Sequence, residues 1–237
     1  MKLVNGVIAN NKLSWWHHLN GDFSDPKKPI PGLISQLSKR VGLLSRLWRL
    51  LPQKKFESFT NGIFYSKLIY CLPLFGNVFD VDNLQDTETR CGAFTKANLQ
   101  TLQVLQNKII RMLTSKGYDT PVKELLLISD HLSINQLVAF TTIMTFFKIR
   151  LTKEPFYLAR RMGMFDESVD LIAMRTRHGK DSKRIEFDLS RAREGFLYRG
   201  SFLWSLLPPS LQKEKKVSKF RKALKDWIKL KIPALPR

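Results

Sequence analysis

Through most of this 237-residue chain, apolar side chains recur every three or four residues, the spacing that places them on one face of a helix. The members of the first run are Leu33, Leu37, Val41, Leu44, Trp48 and Leu51. We expect Pro52 to stop the helix that they form. A second helix is predicted over residues 56–70, ended by Pro73 and Gly76. Its predicted inward side chains are Phe59, Ile63 and Leu68.

The clearest amphipathic helix lies near the middle of the chain. Its apolar stripe consists of Leu99, Leu102, Leu105, Ile109 and Met112, and off it lie Lys96, Lys108 and Arg111. Thr120 and Pro121 predict the start of a short helix that runs to residue 127. Ser133 predicts the start of a long apolar helix that runs to residue 149.

A basic helix is predicted at the end of the chain, over residues 216–229. Its inward face consists of Val217, Phe220, Leu224 and Trp227. Lysine and arginine occupy much of the rest of its surface. A helix of this kind presents positive charge to solvent while its apolar face packs on the protein.

The remaining segments lack helical periodicity. Residues 1–20 alternate around an Asn10-Asn11 pair, which predicts a small β-hairpin. Residues 20–29 and 78–95 predict polar loops, and residues 152–190 predict an extended, charge-rich segment. The chain is therefore expected to be mainly α and to divide into three parts. These are the hairpin and loop over residues 1–30, a helical bundle over 31–151, and a basic loop-rich and helical region over 152–237.

Net charge is the first indication of function. Forty Lys and Arg face twenty Asp and Glu, which gives a formal charge of +20. Such a chain gains by neutralising a polyanion, and nucleic acid, RNA or DNA, is the first candidate because bound cations release counterions from phosphate. Two alternatives remain open at this point. They are an anionic membrane surface and a basic surface that only meets solvent.

Catalysis and metal binding find little support in the residues. The chain has no Asp-Asp pair, and Asp80 and Asp82 fall in a predicted loop without a third carboxylate in view. His17-His18, His131 and His178 have no ligand cluster around them, so no catalytic residue, metal site or cofactor is assigned. The two cysteines cannot form a disulfide framework, and residues 1–20 carry no signal-peptide pattern. We expect a soluble intracellular protein, in the nucleus or the cytoplasm, without a membrane span.

Candidate phosphate contacts follow from charge and helical spacing. They are Lys108, Arg111, Arg191, Arg199, Lys219, Lys222 and Lys225. Nearby aromatic residues could stack on bases, but the favoured interpretation is that they belong to the core. These aromatic residues are Phe196, Tyr198, Phe202 and Trp204.

Five segments resemble, in order, the C-terminal part of a non-LTR (LINE-type, jockey-like) retrotransposon reverse transcriptase. They are residues 6–19 (GVIANNKLSWWHHL), 37–52 (LSKRVGLLSRLWRLLP), 65–77 (YSKLIYCLPLFGN), 102–111 (LQVLQNKIIR) and 198–208 (YRGSFLWSLLP), the last followed by FRKALKDW at 220–227. The chain departs from the family pattern at Asn10, usually Asp, and at Ser205, usually Asn. Compared with the family pattern, residues 20–31 look like an insertion between the hairpin and the first thumb helix.

The resemblance implies a palm-edge hairpin in residues 1–30, a thumb-like bundle in 31–151 and a basic region behind it. In such an enzyme the thumb contacts the backbone of the template–primer duplex, which positions nucleic acid without reading its sequence. The catalytic Asp pair and its Mg²⁺ belong to a palm and fingers portion that would be a partner of this chain. Two alternatives stay open. One is a subunit that acts with a separately encoded palm, and the other is a non-catalytic basic scaffold or a decayed relic.

Overall fold

A computed structural model describes residues 29–76, 78, 94–162, 173–174, 184–185 and 196–232. This part of the chain is mainly helical, as predicted. Its helices are α1 (Pro29–Leu47), α2 (Gln53–Thr60), a π-helical segment (Asn61–Tyr65), α3 (Ser66–Phe75), α4 (Lys96–Thr114), α5 (Val122–Ile128), α6 (Ile134–Thr152), α7 (Phe156–Arg161), α8 (Phe196–Ser205), α9 (Pro209–Gln212) and α10 (Val217–Lys231). β1 (Ala173–Met174) and β2 (Arg184–Ile185) form a short antiparallel pair. The hairpin predicted over residues 1–20 lies outside the described residues.

The α2–α3 region differs from the prediction of one regular helix. Phe59 was expected to face inward but is 48% exposed. Leu68 is buried as predicted, and Ile63 is half-buried. Leu68 belongs to a series of buried side chains at every fourth position, which are Phe56, Thr60, Phe64, Leu68 and Leu72, and Tyr65 beside Phe64 is buried too. An α-helix has 3.6 residues per turn, so a repeat of four drifts around its surface. The π-helical segment takes more residues per turn, and it keeps the repeat on the inward side.

The ends of α3 and α6 test the predicted helix boundaries. Pro73 lies inside α3 and does not end it, whereas Gly76 does follow its last residue as predicted. Ser133 caps α6 as predicted, and its side chain and that of Gln136 form a reciprocal capping box. The helix then continues to Thr152, three residues past the predicted end.

The central element is α6, which packs against α3, α8 and α10. It is buried along most of its length, with Ile134, Val138 and Ile143 almost wholly inaccessible. A helix that is apolar on all sides is expected to lie in the middle of a fold. Every other large helix of the described chain is therefore arranged around α6 or around its neighbour α4, which packs on α1.

One hydrophobic core runs from α1 to α10. Phe147 of α6 stacks on Phe220 of α10 with ring centroids 3.9 Å apart, and Trp204 of α8 lies 5.9 Å from Phe220. Phe202 and Trp204 are buried, as the core interpretation predicted. This core includes residues on both sides of the predicted boundary at residues 151 and 152. No helix in the described part of the chain is long and apolar enough to cross a bilayer.

Candidate nucleic-acid interface

The basic helix α10 is held firmly on one side. Phe220, Leu224 and Ile228, spaced four residues apart, are completely buried against the core. At the C-terminal end, the Gln136 side-chain amide donates to the Ile232 carbonyl at 2.7 Å. The orientation of α10 is therefore fixed, and its other sides are presented to solvent in a defined register.

The outward side of α10 carries Lys219 and Lys222, both exposed. They are three residues apart, which makes them neighbours on a helix surface. Asp226 follows Lys219 by seven residues and so lies on the same side, where it partly offsets the positive charge. Lys219 and Lys222, like Lys108 on α4, are predicted contacts that the structure leaves exposed to solvent.

Lys225 is also on α10, but it already has an anionic neighbour. Its Nζ lies 2.5 Å from Oδ2 of Asp130, and Lys229 binds the other carboxylate oxygen. Asp130 sits in the turn between α5 and α6 with a left-handed backbone, φ 53°. The hydrogen bonds from Lys225 and then Lys229 lower the pKa of Asp130 to about 2. A phosphate would have to compete with this carboxylate for Lys225.

Arg199 is not a surface cation, contrary to the prediction that it contacts phosphate. It is only 4% exposed. Its guanidinium donates to the Pro73 carbonyl at 2.9 Å and to the Gly76 carbonyl. These are backbone groups at the C-terminal end of α3 that lack partners within the helix. Arg199 therefore closes the end of α3, and we remove it from the candidate contacts.

Arg111 is corrected for a similar reason. It lies off the apolar stripe of α4 but is 9% exposed, because the loop after α4 folds over it. Its guanidinium donates to the carbonyls of Gly117, Tyr118 and Thr120 at 3.3–3.4 Å. The guanidinium carbon also lies 5.5 Å from the centre of the Tyr118 ring. Arg111 therefore orders a loop and is not available as a phosphate contact.

The remaining predicted contacts do not join those on α10 in a single described site. Lys108 is exposed, but it lies on α4, which packs on α1, α2, α5 and α6. The helix α10 packs on α6 and α9. Arg191 lies outside the described residues. The described candidate interface thus consists of Lys219 and Lys222, with Lys225 partly engaged.

The side-chain amides of the segment 102–111 are buried and bond within the fold. Gln103 accepts from the Ile134 backbone N–H at 2.8 Å and donates to Asn107 at 2.8 Å. Gln106 donates to the Leu132 carbonyl at 2.8 Å and to the Tyr65 hydroxyl at 3.4 Å. Burial raises the pKa of Tyr65 to about 12, although the bond from Gln106 opposes this. These amides join α4 to the start of α6 and to the π-helical segment.

A further group of exposed cations was missed by the sequence analysis. It lies at the junction of α1 and α2 and consists of Arg46, Arg49, Lys54 and Lys55. The guanidinium of Arg49 lies over the Trp48 ring, 5.4 Å from its centre. The sequence could have indicated this group, because its four cations lie within ten residues around Pro52.

Among the residues that the structure describes, no three His, Cys, Asp or Glu side chains come together in a way that could hold a metal ion. His131 instead stacks on Tyr65, with its Nδ1 2.8 Å from the Ser129 carbonyl.

No protein-family model, no curated protein and no solved structure matches this chain. Any functional conclusion therefore rests on the contacts above and on the sequence resemblance.

Proposed function

We propose that this chain binds the sugar–phosphate backbone of RNA or DNA without catalysing a reaction. The observation that carries the proposal is the pair of accessible lysines, Lys219 and Lys222, on the outward side of the firmly seated α10. A rigid element reduces the entropy that is lost when its side chains order on a ligand. The net charge of +20 adds a long-range attraction for a polyanion.

The sequence resemblance extends this proposal to a biological setting. In it, the chain is the thumb-side part of a non-LTR retrotransposon reverse transcriptase and contacts the template–primer duplex. Residues 1–20 would form the hairpin at the edge of the palm. The catalytic carboxylates and Mg²⁺ would come from a palm and fingers partner, and the chain would act in the nucleus or the cytoplasm.

The test is a salt titration of binding to single-stranded RNA and to an RNA–DNA duplex. For single strands, log K falls with log salt by about 0.7 per neutralised phosphate. In the double variant Lys219→Glu/Lys222→Glu, we expect weaker binding and a slope that is shallower by about 1.4 if each lysine contacts one phosphate. Lys225 is left unchanged, because a carboxylate there would face Asp130 and repel it.

A matched control separates local contact from net charge. Lys116 and Lys123 are exposed and lie away from α10 in sequence, in the loop after α4 and on α5. The variant Lys116→Glu/Lys123→Glu changes net charge by the same amount. An equal loss of affinity in both variants would show that only overall charge matters, and it would overturn the assignment to α10. Absence of binding by the folded native chain would overturn the proposed function and favour the scaffold or relic alternative.

A further inference from the structure

A groove of about 580 Å³ runs along one side of α6, and the α6 side chains at its base range from buried (Leu137, Thr141 and Met144) to exposed (Lys148). The helices α3, α6, α7, α8 and α10 contribute to its lining. Its volume lies in the range of ligand-binding clefts, 300–1,000 Å³. It is separate from Lys219 and Lys222, which do not line it. Its role is therefore independent of the proposed contact with nucleic acid.

The floor of the groove is a stripe along α6. Its members are Leu137, Phe140, Thr141, Met144, Thr145 and Lys148. They follow one another at alternating intervals of three residues and one, which is the pattern of a helix face that packs against another helix. At 1.5 Å per residue the stripe is about 17 Å long, equivalent to three helical turns. The floor therefore has the length and periodicity of a helix-packing surface.

The walls expose apolar side chains that would normally be covered. Ile69 and Tyr70 of α3 are 41% and 49% exposed, and both border the groove. Across from α3, Leu158 and Phe196 are half-buried. A contiguous apolar surface with polar residues at its edge is characteristic of a protein interaction site.

Charge at the edge of the groove selects the kind of partner. Lys148 of α6 and Arg221 of α10 both line it and are exposed, and the lining contains no carboxylate. Neither cation forms an ion pair with a carboxylate of the described residues. The volume admits several large side chains but not a whole helix, so a ligand that fits must lie across the opening and insert its side chains.

We propose that this groove binds an amphipathic helix of a protein partner, about three turns long, with an apolar stripe and acidic residues beside it. The apolar side chains would enter between Tyr70 and Phe140. Glutamate or aspartate would pair with Lys148 and Arg221, which sets the orientation of the helix as well as its affinity.

The test uses synthetic peptides as probes and the full chain as receptor. The first peptide is a helix-forming 18-residue sequence with Leu at positions i, i+4, i+7 and i+11 and Glu beside them. The second has the same composition in an order that destroys the stripe. Because a chain of charge +20 attracts any acidic peptide, only the difference between the two is informative. Fluorescence anisotropy should show the striped peptide binding at least tenfold more tightly.

Three variants locate the site. Lys148→Glu and Arg221→Glu should each weaken the striped peptide about tenfold, and Ile69→Asp should weaken it similarly through the apolar wall. All three positions are exposed, so circular dichroism should show an intact fold. Lys123→Glu, on α5 outside the groove, is the matched charge control and should have little effect.

Two results would overturn the proposal. One is equal binding of the striped and permuted peptides, which would leave only nonspecific charge attraction. The other is tight one-to-one binding of dodecanoate with no binding of the striped peptide, which would assign the groove to an acyl chain. Both results are independent of RNA affinity, so the proposed nucleic-acid function can fail while this one stands.

Discussion

At the scale of single residues, polarity did not predict location. Gln103, Gln106 and Asn107 are polar but buried. Gln103 and Gln106 connect α4 to the backbone of Ile134 and Leu132, and Asn107 accepts from Gln103 within α4. Arg111 and Arg199 carry charge but bond to backbone carbonyls. The partner carbonyls of Arg199 lie at positions 73 and 76, so no local pattern around residue 199 could reveal them. The sequence could separate charged from apolar residues, but not cations that face solvent from cations that face the chain.

The buried amide of Gln106 gives a prediction about stability. Replacement by Ala removes its bonds to Leu132 and Tyr65 and leaves a buried carbonyl unpaired, so Gln106→Ala should lower the free energy of unfolding by about 2–3 kcal/mol. Urea denaturation monitored by circular dichroism measures this change. Lys108→Ala, at an exposed position on the same helix, should change it by less than about 0.5 kcal/mol. A comparable loss in both variants would contradict an internal role for Gln106.

Asp130 gives a prediction about pH. Its pKa is about 2 in the fold, below the ordinary value of 3.8, so its pairs with Lys225 and Lys229 stabilise the protein above pH 4. The contribution is lost as pH falls from 4 toward 2. Because the Asp130 side chain is 70% exposed, the two ion pairs together should contribute no more than about 1 kcal/mol to the free energy of unfolding. Stability of native and Asp130→Asn proteins should differ at pH 6 and converge at pH 2. A difference that persists at pH 2 would contradict this electrostatic origin.

At the scale of elements, the sequence was informative where apolar spacing is regular. The serine cap of α6 and most of the stripes of α1 and α4 were predicted and are confirmed. The helix α1 ends at Leu47, however, before Trp48, Leu51 and the predicted stop at Pro52. The predicted inward position of Phe59 was wrong, because the π-helical segment that changes the register has no distinctive local pattern. The helix α8 was not predicted as such. Its packing depends on Gly200, whose missing side chain admits a ring from a distant element.

Gly200 marks the closest approach of α8 to α6. A Cβ at this position would lie 2.5 Å from Cδ2 of Phe146, which is itself buried. Gly200→Ala should therefore destabilise the fold by about 1–3 kcal/mol through overpacking. Gly42 of α1 is the matched control, since a Cβ there meets no atom within 4 Å. Gly42→Ala should stabilise by up to about 1 kcal/mol. Thermal unfolding should show a lower melting temperature for Gly200→Ala and a higher one for Gly42→Ala. A rise in both variants would contradict the close contact.

At the scale of the whole molecule, the core joins the beginning and end of the described chain. Phe147 packs on Phe220, Gln136 bonds to Ile232, and Asp130 pairs with Lys225. Composition predicted a chain able to bury such a core, but it did not predict which segments share it. That information resides in complementary shapes and long-range hydrogen bonds, which leave little trace in a single sequence. The apolar groove could not be predicted from the sequence either. Because α6 is apolar on every side, its sequence does not mark one face as the floor of a groove.

A shared core predicts a single unfolding transition. The most protected amides of α3 and α10 should exchange with free energies within about 1 kcal/mol of each other, and of the global value from urea denaturation. Native-state hydrogen exchange measures the first two free energies, and urea denaturation measures the global one. Early exchange of the whole of α10 while α3 stays protected would show that residues 196–232 form a separate unit.

The bond from Arg199 to the end of α3 has a consequence for synthesis of the protein. Donor and acceptor are 123 residues apart, and a ribosome adds roughly 5–20 residues per second. For on the order of 10 s, the emerging chain therefore holds an uncapped α3 and an α6 without its aromatic cover. Translation speed over the codons for residues 76–199 thus sets how long this exposed intermediate must avoid aggregation or attract a chaperone.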